Sequence, residues 1–327
     1  MATAPAVEAV VQAGGAHIPP LMEALEQRLA ELAVGHGRVL ARHGGETIAA
    51  GGKRLRPLLV FIAAAEPGAC RDALLRAAVA VELLHSATLV HDDVLDAAEL
   101  RRGRPTVVAT AGRDMATATG DLLFSRAFDE LAINGSSEQV RVLSDASMAL
   151  AQGELVQRAD AWDTQVTVAR YLHRCELKTA RLFEAACRLG VLADPAAPPA
   201  TADALGGFGR RIGLAFQLLD DVLDVSAPEA HTGKRRGADL LDGTLTLPLI
   251  LARERDPALA KLDLRAVGTP EQATVTCEAI EATGALADAR RRALEIVAEA
   301  KGGLPELPQR QRQALGLFAD GVVERYS

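Results

Sequence analysis

Residues 91–96 read His-Asp-Asp-Val-Leu-Asp, and residues 219–224 read Leu-Asp-Asp-Val-Leu-Asp. Both segments lie inside apolar stretches with helical periodicity, which predicts that each belongs to a helix. Because helix positions i, i+1 and i+4 lie within about 100° of arc, each segment places three carboxylates on one face. We call these faces the first aspartate cluster, which comprises Asp92, Asp93 and Asp96, and the second aspartate cluster, which comprises Asp220, Asp221 and Asp224.

Two clusters of negative charge in apolar surroundings require cations as partners. Partly buried carboxylates raise one another's pKa values unless a cation neutralises them. Mg²⁺ prefers oxygen ligands and characteristically bridges carboxylates to substrate phosphates. The clusters make chemical sense only if they face one cavity, so the sequence predicts a magnesium site for a phosphorylated substrate.

The remaining periodicity predicts an all-α protein. Ala, Leu and Val dominate the apolar residues and only 3% of all residues are aromatic, which favours closely packed helices over sheets. No convincing run of strand alternation separates the predicted helices. These cover roughly residues 20–48, 54–66, 69–97, 112–134, 138–160, 167–192 and 201–227, with several more toward the C-terminus.

The domain organisation depends on how the two aspartate clusters are used. A length of 327 residues would allow two domains, and the proline-rich stretch Asp194–Pro199 is the best candidate linker. A cut there would separate the clusters. We therefore expect one domain over residues 1–327, a single large helical bundle around a central cavity, with the proline-rich stretch as a surface loop. Residues 1–19 are expected to form a loosely ordered N-terminal segment.

Short basic segments beside turns could bind an anion. Gly51–Pro57 places two glycines before three cations at a helix entry, where backbone N–H groups favour anions. Arg101–Gly103, Lys178–Thr179 and Thr232–Lys234 are basic segments of a similar kind. Any one such segment is common on a solvated surface. Together with two aspartate clusters, they predict a diphosphate substrate chelated by Mg²⁺.

Two polar side chains share a face with the aspartate clusters. His85 lies seven residues, or about two turns, before Asp92, and Gln217 lies three residues before the second cluster begins. Either side chain could instead make its hydrogen bonds within the core, but its position on the same helix face as the aspartates favours a role as a ligand. Trp162 and Tyr171 are interpreted as packing residues, because nothing around them converges.

These motifs resemble those of the trans-polyprenyl diphosphate synthases, and the resemblance covers nearly the whole chain. Residues 82–96 with 101–106 look like the family's first aspartate-rich motif and its arginine tail, and residues 208–224 look like the second. Further landmarks lie at residues 51–57, 120–121, 152–154, 171–179 and 232–234. The resemblance implies the isoprenoid synthase type I fold and a prenyltransferase that uses Mg²⁺, with three ions per site.

The resemblance also assigns roles to individual residues. The diphosphate of isopentenyl diphosphate would be bound by Lys53, Arg56, His85 and Arg102. The allylic diphosphate would be bound by Arg101, Lys178, Thr179, Gln217 and Lys234. The Mg²⁺ ligands would be Asp92, Asp96 and Asp220, supported by Asp93, Asp221 and Asp224. Catalytic roles would fall to Asp92, Asp93, Asp96, Lys178, Asp220 and Asp221.

One position departs from the family pattern. The family often reads Glu-Gly-Lys before Thr-Leu-Pro, whereas this chain reads Asp242-Gly243-Thr244 at the corresponding place. The missing lysine removes one contact to a diphosphate, and we expect weaker allylic binding at most.

The residues before the first aspartate cluster predict the product length. The floor of an apolar tunnel would be formed one and two turns earlier, by Ala87, Thr88 and Leu84, and each turn adds about 5.4 Å of depth, comparable to one isoprene unit. An aromatic side chain at position 87 or 88 would stop the growing chain early, so the residues present predict a long product. Resemblance of residues 85–91 to the octaprenyl and decaprenyl synthases implies a precursor of the quinone side chain. The primer would be farnesyl or geranylgeranyl diphosphate, and a geranylgeranyl diphosphate synthase is the second choice.

Other protein classes fit the pattern less well. A class I terpene cyclase would carry a second motif of the Asn/Asp-Ser/Thr-Glu type, which residues 220–224 lack. A non-catalytic subunit of a hetero-oligomeric synthase would be expected to have lost aspartates or arginines that are intact here. A plain helical scaffold with two acidic faces leaves the joint pattern unexplained.

Bulk properties restrict partners and location. The net charge of −7 argues against a nucleic-acid partner. The four cysteines form no CxxC pair, which favours a reducing cytoplasm. No uncharged apolar run approaches the roughly 20 residues of a membrane span, and residues 1–20 lack the regions of a signal peptide. The expected partners are the two diphosphates and, by the resemblance, a second copy in a homodimer, with at most peripheral membrane contact for product release.

Overall fold

A computed structural model of the chain describes residues 5–34, 43–45, 47–48, 52–64, 70–101, 103–226 and 236–324. These residues are mostly helical, and the prediction of an all-α protein is confirmed. The helices up to the second aspartate cluster are α1 (Pro5–Gly14), α2 (Ile18–Val34), α3 (Leu55–Ala63), α4 (Arg71–Leu95), α5 (Val107–Ala111), α6 (Arg113–Ala132), α7 (Ser137–Ala159), α8 (Val168–Cys175), α9 (Arg181–Leu192) and α10 (Pro199–Ser226). Those that follow are α11 (Ala238–Leu241), α12 (Leu247–Arg253), α13 (Pro257–Ala260), α14 (Pro270–Ala282), α15 (Ala285–Gly302) and α16 (Gln309–Glu324).

The chain forms two compact units. Unit 1 comprises Met1–Met148, Leu182–Gly209 and Gly303–Gly321, and unit 2 comprises Ala149–Arg181, Arg210–Gly302 and Val322–Ser327. The proline-rich stretch 194–199 lies within a segment of unit 1, so it does not mark the boundary between the units. The organisation of the whole chain as one domain stays a prediction.

Helix α4 forms the core of unit 1. Every residue from Ala77 to Leu84 is buried, because α4 packs against α2, α3 and α6. A helix that is apolar on all sides must be covered on all sides. By length and hydropathy α4 could also cross a membrane, but 67% of its most apolar 18-residue window is buried within the protein. This burial is typical of a core helix, and it fixes the position of the first aspartate cluster at the end of α4.

The N-terminal segment differs from the prediction. Residues 5–14 form α1, with Val7 and Val10 buried, so the expectation of a loosely ordered segment over residues 1–19 is wrong for the described part. The apolar spacing of i and i+3 gives α1 a face that can pack against the rest of unit 1. A Cβ atom at Gly321 of α16 would lie 3.1 Å from the Cβ of Ala6, which shows how closely these two helices approach.

A small hairpin follows α4. Strand β1 (Leu100–Arg101) pairs antiparallel with strand β2 (Arg104–Pro105), and Arg101 lies opposite Arg104. Gly103 has a φ of 73°, a left-handed conformation that favours glycine and allows the tight turn. The sequence predicts a turn here but no strand. The hairpin places Arg101 beside the last turn of α4.

A π-helical turn, Glu176–Ala180, interrupts the predicted helix 167–192. It joins α8 to α9, and it carries Lys178 and Thr179, two of the residues assigned to the allylic diphosphate. Such turns insert one residue into a helix and are frequent at functional sites. Hydrophobic periodicity does not reveal an insertion of a single residue.

In unit 2, buried polar contacts fix the turn that precedes α12. The guanidinium of Arg174, only 3% exposed, donates a 2.6 Å hydrogen bond to the carbonyl oxygen of Leu245. The backbone N–H of Trp162 donates to the carbonyl of Gly243 at 2.8 Å, and a Cβ atom at Gly243 would lie 2.3 Å from the indole ring. Trp162 therefore packs against Gly243, in agreement with its interpretation as a packing residue. Thr244, at the position where the family often has lysine, is buried.

Candidate active site

The first aspartate cluster lies at the C-terminal end of α4 in unit 1. Asp96 caps the helix, and its N–H donates to the carbonyl of Asp92 at 2.8 Å. Asp93 is 6% exposed and accepts a 2.7 Å hydrogen bond from Nε of Arg101. Burial raises the pKa of Asp93, while the charge of Arg101 acts in the opposite direction. Asp92 is half-buried and Asp96 is exposed, so the structure gives the three carboxylates different surroundings.

Unit 1 also brings together residues assigned to isopentenyl diphosphate. Nη1 of Arg56 lies 3.1 Å from Nε2 of His85, and the Arg56 guanidinium carbon lies 4.7 Å from the ring centroid of Phe183. Lys53 is exposed and lies just before α3 in the chain. Arg102, assigned to the same diphosphate, lies outside the described residues. Phe183 was not anticipated from the sequence, because a buried phenylalanine has no local signal of a cationic partner.

The second aspartate cluster lies on α10 in unit 2. Asp221 is 4% exposed, and its two carboxylate oxygens accept from the hydroxyl of Tyr171 at 2.6 Å and from Nε2 of Gln217 at 2.7 Å. The amide oxygen of Gln217 accepts from the hydroxyl of Thr179 at 2.6 Å. Burial is the main cause that raises the pKa of Asp221 to about 8, and the negative charge of Asp239 adds to it. The four side chains form one hydrogen-bonded chain.

These hydrogen bonds correct the interpretation of Tyr171. The sequence suggested only packing, and Tyr171 is indeed fully buried, but its hydroxyl also bonds to Asp221. Buried tyrosine hydroxyls usually find such a partner. The signal available in the sequence was the position of Tyr171 at the start of the landmark stretch 171–179.

Asp224 has a separate structural task. Its carboxylate accepts from the backbone N–H groups of Ala238 at 3.2 Å and Asp239 at 3.3 Å, at the start of α11. Its carbonyl oxygen accepts from the N–H of Gly237 at 2.8 Å. These contacts join the two ends of segment 227–235, which lies outside the described residues and contains Lys234.

Lys178 is held by a carboxylate on α7. Its Nζ lies 2.6 Å from Oε2 of Glu154, and the other carboxylate oxygen of Glu154, Oε1, accepts a 2.7 Å hydrogen bond from Nε of Arg158. Burial acts to raise the pKa of Glu154, but Lys178 and Arg158 outweigh it and lower that pKa. A Cβ atom at Gly153 would lie 2.7 Å from the backbone nitrogen of Lys178, so glycine lets α7 approach the π-helical turn. Sequence reasoning assigned no role to Glu154, although it noted Gln152–Glu154 as a landmark.

The residues predicted to form the tunnel floor lie on α4. Leu84 and Ala87 are fully buried, whereas Thr88 is half-buried and its hydroxyl donates to the carbonyl of His85 at 2.8 Å. None of the three is aromatic. Their role in setting product length stays a prediction.

The oxygen donors fit Mg²⁺. Mg²⁺ keeps several waters and is usually bound by one or two carboxylates plus substrate phosphates, not by a cage made of protein alone. Among the described residues, no group of three or more His, Cys, Asp or Glu side chains is arranged to hold a metal. Asp92, Asp96 and Asp220 are half-buried or exposed, and the carboxylates of Asp93, Asp221 and Asp224 bond to other protein groups.

Comparison with known proteins identifies the family. The polyprenyl synthetase family model matches residues 38–282. The chain is 37% identical over 278 residues to heptaprenyl diphosphate synthase component 2 of Geobacillus stearothermophilus, covering 83% of this chain and 84% of that protein. It is 36% identical over 296 residues to the octaprenyl diphosphate synthase of Escherichia coli strain K12 (85% and 87% covered). It is 38% identical over 285 residues to the geranylgeranyl diphosphate synthase of Methanosarcina mazei (84% and 86% covered).

A solved structure gives the same result. The polyprenyl synthase from Caulobacter crescentus CB15, crystallised with calcium and isoprenyl diphosphate, matches with a TM-score of 0.89 and 33% identity, covering 98% of both chains. The fold is the all-helical isoprenoid synthase type I fold. The chain belongs to the polyprenyl synthetase family of prenyltransferases, as the resemblance implied.

Proposed function

We propose that this protein condenses isopentenyl diphosphate with farnesyl or geranylgeranyl diphosphate to give a long-chain all-trans polyprenyl diphosphate. The product would be octaprenyl to decaprenyl diphosphate, used for a quinone side chain. The observation that carries the proposal is that each aspartate cluster is coupled to residues suited to bind a diphosphate. Asp93 bonds to Arg101 in unit 1, and Asp221 bonds to Gln217 in unit 2.

The proposed reaction breaks the C–O bond of the allylic diphosphate and forms a C–C bond to the isopentenyl double bond. Asp92, Asp96 and Asp220 would hold Mg²⁺, which neutralises charge on the departing diphosphate when bound. The resemblance assigns Arg101 and Lys178 to the allylic diphosphate, and their positive charges would stabilise it as a leaving group.

The remaining residues position the substrates and exclude water. Asp93 orients Arg101, and Asp221 orients Gln217 and Thr179 toward the allylic diphosphate. Lys53, Arg56, His85 and Arg102 bind the diphosphate of the second substrate. Apolar surroundings keep water from the allylic cation, which would otherwise become an alcohol. The departing pyrophosphate accepts the proton, so no protein general base is required.

The long product is supported by Leu84, Ala87 and Thr88, because no Phe, Tyr or Trp lies within about two turns before Asp92. A geranylgeranyl product is the second candidate, because the Methanosarcina mazei enzyme is as similar as the long-chain enzymes. The name of the Geobacillus stearothermophilus relative, component 2, raises the alternative of a hetero-oligomer. The complete set of aspartates supports a catalytic subunit, and we propose a cytoplasmic homodimer with peripheral membrane contact for product release.

Incorporation of radiolabelled isopentenyl diphosphate tests the activity. The purified protein is incubated with farnesyl diphosphate over a Mg²⁺ titration, and labelled prenyl products are extracted. We expect incorporation that requires Mg²⁺, and a loss of at least about 100-fold in Asp92→Asn. Asp129→Asn, which changes an exposed aspartate outside both clusters, is the matched control. No incorporation by the wild type would contradict the proposal, and release of a cyclic hydrocarbon would identify a terpene cyclase.

A further inference from the structure

Arg54 adopts a backbone conformation that is rare for a residue with a side chain. Its φ is 46° and its ψ is 37°, which is the left-handed region, and it is the N-cap of α3. Lys53 precedes it, and Arg56 follows within the first turn of the helix. The left-handed residue therefore sets the direction of the chain between two cations that we assign to isopentenyl diphosphate.

The side chain of Arg54 is buried against two carboxylates. It is 7% exposed, with Nη1 2.6 Å from Glu82 of α4 and Nε 2.7 Å from Glu26 of α2. Nη2 donates to the second oxygen of Glu26 at 3.1 Å and to the carbonyl of Ile48 at 3.0 Å. One guanidinium and two carboxylates leave a net negative charge. An anionic substrate would be repelled by this arrangement, so Arg54 differs in kind from Lys53 and Arg56.

Helix α4 contacts both arginines from successive turns. Glu82 bonds to Arg54, and His85, three residues later on the same helix face, lies 3.1 Å from Arg56. The left-handed turn at Arg54 thus allows both arginines to reach their partners on α4, Arg54 to Glu82 and Arg56 to His85. The contact of Arg56 with the Phe183 ring restricts its orientation further.

We infer that Arg54 is a positioning residue, which anchors the turn to Glu26 and Glu82 and thereby places Lys53 and Arg56 to bind the diphosphate of isopentenyl diphosphate. The inference rests on the proposed function. It separates the three cations of the Lys53-Arg54-Leu55-Arg56 segment into one anchor and two ligands, which the sequence pattern does not do.

Steady-state kinetics with four variants tests this role. Arg54→Gln removes the charge and most of the anchor, and Arg54→Gly permits the left-handed turn without any anchor. Glu26→Ala removes two of the hydrogen bonds from an exposed position, so folding is retained. Glu130→Gln, which alters a buried carboxylate paired with Arg28 elsewhere in unit 1, is the matched control for stability.

The expected result is a split between the two substrates. Because small misplacements of binding groups are costly, the KM for isopentenyl diphosphate should rise roughly tenfold or more in Arg54→Gln and Arg54→Gly. It should rise by a smaller factor in Glu26→Ala. The KM for farnesyl diphosphate should change by less than about twofold in all three, and neither KM should change in the Glu130→Gln control.

Two results would overturn the inference. If Arg54 were itself a ligand of the diphosphate, Glu26→Ala would remove a repelling charge and lower the KM for isopentenyl diphosphate. If the left-handed turn alone were sufficient, Arg54→Gly would keep the wild-type KM. A wild-type protein without any incorporation would instead refute the proposed function, so the two failures are distinguishable.

Discussion

The hydroxyl of Tyr171 donates a 2.6 Å hydrogen bond to Oδ2 of Asp221, and both side chains are buried. The other oxygen of Asp221 accepts from Gln217, whose amide oxygen accepts from Thr179. Both oxygens of this aspartate are thus used within the protein. Asp221 is suited to orient Gln217 and Thr179, and Tyr171 is suited to hold Asp221 in place.

Tyr171→Phe should impair allylic substrate binding. The substitution leaves a buried carboxylate oxygen without its donor, which costs about 1–3 kcal/mol of stability. Asp221 can then shift, and the KM for farnesyl diphosphate should rise about tenfold while the KM for isopentenyl diphosphate stays unchanged. Initial rates at varied concentrations of each substrate measure both values.

Gln139→Leu is the control for the Tyr171 variant. Gln139 is 3% exposed and donates a 2.7 Å hydrogen bond to the carbonyl of Leu192, so its replacement also disrupts a buried hydrogen bond. It should lower Tm without changing either KM. Equal effects of the two variants on the KM for farnesyl diphosphate would show that Tyr171 acts only through stability.

Gly153→Ala should reduce activity by moving the π-helical turn. A Cβ atom at position 153 would lie 2.7 Å from the backbone nitrogen of Lys178, closer than real contacts allow. Either α7 or the turn must shift, and kcat should fall about tenfold or more because Lys178 is displaced. Gly316→Ala, in a helical position where an added Cβ meets nothing within 4 Å, should raise Tm slightly and leave kcat unchanged. Unchanged kcat in Gly153→Ala would contradict a role for the turn.

The Glu154 and Lys178 pair predicts a pH dependence of stability. Because the folded pKa of Glu154 lies below its ordinary value of 4.5, the pair stabilises the protein fully above pH 4.5. That stabilisation is lost as the pH falls through the folded pKa. Thermal unfolding of the wild type and Glu154→Gln should therefore show a Tm difference at pH 7 that shrinks below pH 4.5. A difference that is constant down to pH 3 would refute this role of the charge.

Ala87→Phe should shorten the product. Ala87 is fully buried on α4 one turn before the first aspartate cluster, and an aromatic ring there would occupy the space assigned to the growing chain. Overpacking should also lower stability by about 1–3 kcal/mol. Thr88→Val keeps the shape of its side chain and loses only the hydrogen bond to His85, so its product length should not change. Chromatography of the prenyl products measures both, and an unchanged product in Ala87→Phe would place the tunnel floor elsewhere.

Periodicity and spacing predicted the helices that carry both aspartate clusters, because these depend on local sequence. They did not predict the π-helical turn at Glu176–Ala180, which depends on one inserted residue. They also missed α1, a short helix in which only Val7 and Val10 are buried.

The contacts that organise the site join residues far apart in the chain. Arg54 and Glu82 are 28 residues apart, Lys178 and Glu154 are 24 apart, and Tyr171 and Asp221 are 50 apart. No local pattern connects such pairs, and each partner alone reads as an ordinary surface charge or core residue. The sequence therefore identified candidate ligands, whereas the residues that position them required the structure.

Product chain length under defined conditions distinguishes a long-chain synthase from a geranylgeranyl diphosphate synthase. The purified wild-type protein is incubated with Mg²⁺, farnesyl diphosphate and excess isopentenyl diphosphate, and the products are dephosphorylated and separated by chromatography. The proposed function predicts all-trans products in the octaprenyl to decaprenyl range. A product that ends at geranylgeranyl, or none beyond the primer, would contradict it.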